Sequence, residues 1–156
     1  MFDVDDTSLE NENEYVIFLI SDQEYCIDIM SLREIRGWTV ATALPDSPEY
    51  VKGVINLRGA VVPIIDLAER IGLEPTERTQ RSVIMITNIG DQTVGLAADA
   101  VLDIMSIKPE TIQAPPQVSA SNVARFVNGL VALEKRMISV IDLENILPPK
   151  SQDVAA

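Results

Sequence analysis

The sequence contains no histidine, one cysteine (Cys26) and only 4% aromatic residues, and its 12 basic residues are outnumbered by 24 acidic ones. Without histidine, the commonest general base is missing, and with it the usual Ser and Cys triads and most catalytic zinc sites. A single cysteine allows no internal disulfide framework, which fits a reducing compartment. Cys26 lies between Tyr25 and Ile27 in a strand-like run, so it reads as a small packed residue. The net charge of −12 repels phosphate backbones and anionic lipid, and few aromatic rings are available to stack on bases, which argues against a nucleic-acid barrel. No apolar run approaches the roughly 18 residues of a membrane span. Walker, G-x-G-x-x-G and G-x-S-x-G motifs are absent as well, and Asp99 with Asp103 is better explained as a solvated strand edge than as an acid pair. No catalytic constellation is left. The expectation is therefore a binding protein, not an enzyme, without cofactor or metal.

What is present is branched and aliphatic. Val, Ile and Leu must build the core, and they suit strands. The first fourteen residues, MFDVDDTSLENENE, carry six acids and no base, so 1–14 reads as a disordered acidic tail. They have neither the basic nor the apolar region of a secretory signal, and the expected location is cytoplasmic. Residues 149–156 read as a second disordered tail.

Between the tails the chain repeats itself. Tyr15 to Ser21 (YVIFLIS) matches Ser82 to Asn88 (SVIMITN), and Asp22 to Ile35 matches Asp91 to Ile104 with Asp-Gln at the same turn. Further on, Val51 to Ile71 (VKGVINLRGAVVPIIDLAERI) matches Val127 to Leu147 (VNGLVALEKRMISVIDLENIL). Two matches in the same order imply a duplicated module. Each half reads as five short strands, about 15–21, 24–29, 33–40, 53–57 and 60–66, then about 82–88, 92–98, 101–107, 127–133 and 137–142. Five antiparallel strands avoid open edges by curling. The fold class is all-β with short helices, as two side-by-side five-stranded barrels, the first about 15–72 and the second about 81–148. One or two helical turns are expected at Pro48 to Lys52, at Leu67 to Ile71 and at Leu143 to Leu147. The loop Lys108 to Asn122, with its three prolines, is long for a compact domain.

A duplication supplies its own control. Residues kept in both halves are structural: Asp66 and Asp142 as strand-end or helix-capping residues, and Gly53 and Gly129 for a backbone conformation barred to others. Matched positions that differ in chemistry are candidates for function. The group Asn56-Leu57-Arg58-Gly59 faces Ala132-Leu133-Glu134-Lys135, which inverts the charge at Arg58 and removes the glycine. Two readings stand: a hairpin turn with an exposed arginine, or a partner surface using the planar donors of Arg58. Glu34-Ile35-Arg36-Gly37-Trp38 differs from its counterpart in the same way, and Glu34 has the charge to pair with Arg58.

At these residues the sequence resembles the bacterial chemotaxis coupling protein family, CheW. The resemblance rests on E-I-R-G at 34–37, S-P-E-Y-V-K-G at 47–53, V-I-N-L-R-G at 54–59, V-P-I-I-D-L at 62–67, I-G-D-Q-T-V-G-L at 89–96 and V-L-D-I at 101–104. It spans roughly residues 14 to 148, one CheW-like domain over 15–148, too short to include the kinase or receiver fusions in which this domain also occurs. The resemblance implies two SH3-like barrels and an adaptor that joins the cytoplasmic tip of methyl-accepting chemoreceptors to the regulatory domain of the histidine kinase CheA, in arrays under the membrane. It further implies a receptor helix in an apolar groove between the barrels, with Leu32, Glu34 and Arg58 lining it from the first half and Val83 and Ile104 from the second. Gly53 and Gly59 are the expected structural turn residues. Kinase-binding residues are not assigned. The leader, Leu32 where Val is common, and Cys26 depart from better-known members. The alternative reading is a CheW-like binding module for another histidine kinase or signalling complex outside chemotaxis.

Overall fold

The computed structural model describes residues 13–75, 77–116 and 122–148. The expected tails at 1–12 and 149–156 lie outside the described residues. Ten strands form: β1 (Asn13–Ile20), β2 (Gln23–Asp28), β3 (Leu32–Gly37), β4 (Val51–Leu57), β5 (Ala60–Asp66), β6 (Val83–Ile89), β7 (Gln92–Ala98), β8 (Ala100–Ile107), β9 (Val127–Leu133) and β10 (Arg136–Ile141). Each coincides with an expected one, and the boundaries move where pairing decides them. β3 stops at Gly37 rather than residue 40, because its partner β6 starts at the facing Val83. Asn13 and Glu14 leave the expected tail and join β1, paired with Ile107 and Ser106 of β8. Pro48 to Lys52 makes one turn, closed by the Val51 N–H donating to the Pro48 carbonyl at 3.0 Å, and not a helix. Val51 is already paired with Ile65 in β4. The two other helical turns form as α1 (Leu67–Arg70) and α2 (Leu143–Ile146).

The strands are shared out differently from the expected division at 15–72 and 81–148. One sheet has the order β8-β1-β2-β10-β9 and the other β3-β6-β7-β5-β4. Each takes strands from both halves of the chain. Exchanging every strand for its duplicate (β1 with β6, β2 with β7, β3 with β8, β4 with β9, β5 with β10) converts one order into the other. Even the bulges correspond: Arg33 is skipped in the β3–β6 pairing and its match Leu102 in β1–β8, while Lys52 and its match Asn128 are skipped in the two hairpins. The halves meet through four strand pairs: β1 with β8 and β3 with β6, which are antiparallel, and β2 with β10 and β5 with β7, which are parallel. The parallel pairs need long crossover connections, which the intervening half of the chain supplies.

Each sheet closes on itself. The chain leaving β3 returns over the far edge strand, where Thr42 bridges Val54, and the chain leaving β8 does the same where Gln113 bridges Leu130. Ile55, Leu57, Val62, Ile64, Ile84 and Ile86 fill one barrel. Ile17, Cys26, Val131, Ile138 and Val140 fill the other, so Cys26 is a packed core residue whose thiol pKa is pushed up to about 12 by burial, with the Asp28 charge adding to it. The largest cluster belongs to neither interior. Val16, Phe18, Ile20 and Ile27 from one sheet meet Ile65, Met85, Val94 and Leu96 from the other, forming a central core between the barrels. No helix among the described residues is long and apolar enough to cross a membrane.

The duplicated residues differ in their physical reasons. Asp66 is buried and caps α1, its Oδ1 accepting from the Ala68 N–H at 2.9 Å and the Glu69 N–H at 3.4 Å, while its Oδ2 accepts from Arg78 at 2.8 Å. Arg78 also stacks on Trp38, 4.0 Å from the ring centre, which fastens the linker between the halves to the barrel that contains β3 and β5. The Asp142 side chain makes no cap to α2 and accepts instead from Asn145 Nδ2 at 3.0 Å. Gly53 has the expected left-handed backbone, φ +137°, and a Cβ there would stand 2.2 Å from the Thr42 carbonyl oxygen. Gly129 does not share that conformation. Its constraint is space alone, because a Cβ would meet the Ile112 side chain at 2.5 Å.

Both glycines thus lie beneath the segment that closes their barrel, but only one faces immovable backbone. Gly53→Ala is expected to cost about 3 kcal/mol and Gly129→Ala about half that, since Ile112 can shift. Urea unfolding of both variants measures the order, and equal losses would contradict it.

Candidate functional site

Arg58 and Gly59 are the two residues of the β4–β5 turn, which Leu57 and Ala60 close as a pair. Both have positive φ, 53° and 90°, as a two-residue turn matching the strand twist requires. Glycine adopts this freely; arginine does so at a cost. Asn56 steadies the turn, its Oδ1 accepting from the Gly59 N–H at 2.8 Å. A residue that suits the turn poorly is better explained by what its side chain reaches. Arg58 Nη2 donates to Glu34 Oε1 at 2.6 Å, and Arg36 Nη1 donates to Glu34 Oε2 at 3.1 Å. The sequence suggested the first contact; the second comes from the two-residue spacing that puts Glu34 and Arg36 on one side of β3. Glu34 divides its oxygens between two guanidinium groups. The Arg58 and Arg36 hydrogen bonds hold its carboxyl below the ordinary glutamate pKa. The Arg58 side chain remains 64% exposed, so a held cation is presented to solvent.

The apolar candidates follow from the register, because directly opposed residues share a face. Ile104 on the edge strand β8 opposes Val16, a member of the central core, yet is itself 49% exposed. Its match Ile35, on the edge strand β3, opposes the core residue Met85 and is 41% exposed. Leu32 and Val83 are half-buried against the same central core. Leu32 and Val83 therefore lie on the side of one sheet that meets the central core, and Ile104 on the corresponding side of the other, at its edge strand; together these sides make the face between the barrels. Glu34 opposes Ile86 of a barrel interior, so its carboxylate belongs to the rim and not to that face. Gly53 stands apart, under the Thr42 segment, as part of the scaffold.

Three residues were missed from the sequence. Ile35 was readable, because its duplicate Ile104 had been singled out. Met30, 87% exposed in the turn before β3, had no sequence signal. Arg70 donates to the carbonyls of Asn145, Ile146 and Leu147 across the two halves, and the matching that set Arg58 against Glu134 also sets Arg70 against Ile146. Among the described residues no group of His, Cys, Asp and Glu side chains could hold a metal ion.

Comparison with known proteins bears on the family and the fold. A family described as "CheW-like domain" matches residues 14–150. The chain is 48% identical over 146 residues to a probable chemotaxis protein CheW of Rhizobium etli, covering 94% of both. It is 43% identical to the chemotaxis protein CheW of Rhizobium meliloti, over 91% of this chain and 92% of that one. The crystal structure of the scaffolding protein TtCheW from Thermoanaerobacter tengcongensis superposes with a TM-score of 0.81 at 33% identity, covering 88% of this chain and 94% of that one.

The rim is open to direct titration. Because the folded pKa of Glu34 is depressed, its pairing contributes stability above the unfolded pKa and loses it as the pH falls through the folded one. That contribution is small at so exposed a site. Arg58→Ala is expected to raise the Glu34 pKa towards the ordinary value, but not fully, because Arg36 remains. NMR titration of the Glu34 carboxyl measures the shift, and an unchanged pKa would show that the Arg58 contact is not held in solution.

Proposed function

The chain belongs to the CheW-like domain family and is a chemotaxis adaptor without enzymatic activity; from that premise we propose that it joins the cytoplasmic helical tip of a methyl-accepting chemoreceptor to the regulatory domain of the histidine kinase CheA. The observation that carries this reading is Ile104: a large apolar side chain on the inter-barrel face, about half of which its neighbours leave uncovered. With Leu32 and Val83 it offers an apolar seat, and Arg58 offers a charge beside it. An amphipathic helix fits such a surface, its apolar stripe in the groove and its polar flank against the rim.

The adaptor changes no bond. It holds receptor and kinase in one assembly beneath the membrane, and receptor signalling biases the kinase only as far as the shared contacts differ between its active and inactive states. Individually modest contacts suffice when many are linked in an array. The kinase binds away from the groove, which leaves both partners seated together.

Arg58→Glu is expected to abolish receptor-dependent control of the kinase while the fold survives, because no buried group depends on Arg58. Arg58→Asn is the sharper control: asparagine suits the left-handed turn, so stability is expected to hold or rise by about 0.5 kcal/mol while receptor binding falls. Co-sedimentation with receptor fragments and CheA, scored for the ternary complex beside urea unfolding, separates the two properties. A Glu variant that unfolds makes Arg58 structural, and variants that bind receptor normally remove it from the site.

A further inference from the structure

Arg70 ends α1, which follows β5 of one sheet, and its guanidinium reaches α2, which follows β10 of the other. Nε donates to the Ile146 carbonyl at 2.6 Å, and Nη2 donates to those of Asn145 at 2.9 Å and Leu147 at 3.0 Å. These carbonyls end a single helical turn and have no intrahelical donor of their own. The planar guanidinium also stacks on two rings, Tyr50 at 4.4 Å and Phe126 at 4.8 Å from the ring centres. Tyr50 immediately precedes β4 and Phe126 immediately precedes β9, so the rings are duplicates of each other, one from each half. The Tyr50 carbonyl accepts from the Asp66 N–H and the Phe126 carbonyl from the Asp142 N–H, both at 2.8 Å, completing the symmetry.

Arg70 breaks that symmetry. Its own duplicate is Ile146, which is buried and whose carbonyl is one of the acceptors. Arg70 thus sits between equivalent rings and ties equivalent helical turns, while a second guanidinium, Arg125, lies 5.2 Å from the Phe126 ring centre alone. Lysine lacks both the planar face and the forked donors that this geometry uses.

We propose that Arg70 is a positioning residue that fixes the two barrels against each other and so sets the width of the groove. In each sheet the strands that lead to this tie, β5 and β10, are not neighbours of the edge strands β3 and β8 at the groove. Rotation of one barrel about the tie therefore moves the groove walls. This rests on the groove being the receptor seat.

The test separates the two ideas. Arg33 and Leu102 are exposed duplicates at the bulges of β3 and β8, one on each side of the groove. Cysteines placed there accept spin labels, while the buried Cys26 stays unlabelled. In the full chain, Arg70→Gln is expected to broaden the label-to-label distance distribution and to weaken binding of a receptor-tip fragment roughly tenfold, and Arg70→Lys to restore neither. Should Arg70→Gln not fold, Tyr50→Leu removes one ring and keeps the hydrogen bonds, and the same changes are expected in smaller measure. An unchanged distribution with only a lower urea midpoint would make Arg70 purely structural and overturn the proposal. A broadened distribution with unchanged affinity would overturn its link to the groove. If the parent chain binds no receptor fragment, the receptor reading fails, and the distances still decide whether Arg70 holds the barrels.

Discussion

The parallel seam is the constraint on which the rest depends. β2 pairs with β10 and β5 with β7, so neither half of the chain can complete a sheet alone. The central core follows from it, because Val16, Phe18 and Ile27 can meet Met85, Val94 and Leu96 only once the exchange has been made. The expected consequence is cooperative unfolding of the two barrels as one unit. Long-range pairing of this kind also carries a high loop-closure cost before it is repaid, which slows folding.

Set on this frame, the proposed groove uses what the frame leaves over. A sheet edge beside a packed face leaves side chains half covered, and at β3 and β8 those side chains are Ile35 and Ile104. The duplicated fold makes two such edges, while the charges distinguish them. Glu34 with Arg36 and Arg58 occupies one side, and Asp103, whose Oδ1 accepts from the Ile104 N–H at 2.7 Å, the other. Arg58 keeps a turn conformation that glycine or asparagine would take more easily. A residue retained against local preference marks the kind of site at which stability and activity part.

Much of the fold was legible in the sequence, and for a local reason. Strand-forming runs such as VIFLI and VIMIT, bounded by Asp, Asn and Gly, identify themselves by composition and length. Asp66 before Leu67 likewise announces its helical turn. Gly129 was misread, since sequence matching records that glycine is kept but not whether conformation or space keeps it. The site was half legible. Comparing the halves isolated Glu34 and Arg58, whereas Arg70 reaches carbonyls far along the chain.

By itself, then, the sequence determined the strands, their duplication, the absence of catalytic groups, and the one turn where an arginine stands against backbone preference. Periodicity and composition act within a few residues, so these could be read directly. Only the tertiary structure decided which strands share a sheet. A strand of alternating or continuous apolar character pairs equally well with either copy of its partner, and nothing local separates a barrel closed within one half from a barrel exchanged between two. The choice belongs to the central core and the parallel seam, whose partners lie tens of residues apart, and with it came the inter-barrel face that Leu32 and Val83 meet from one sheet and Ile104 from the edge of the other.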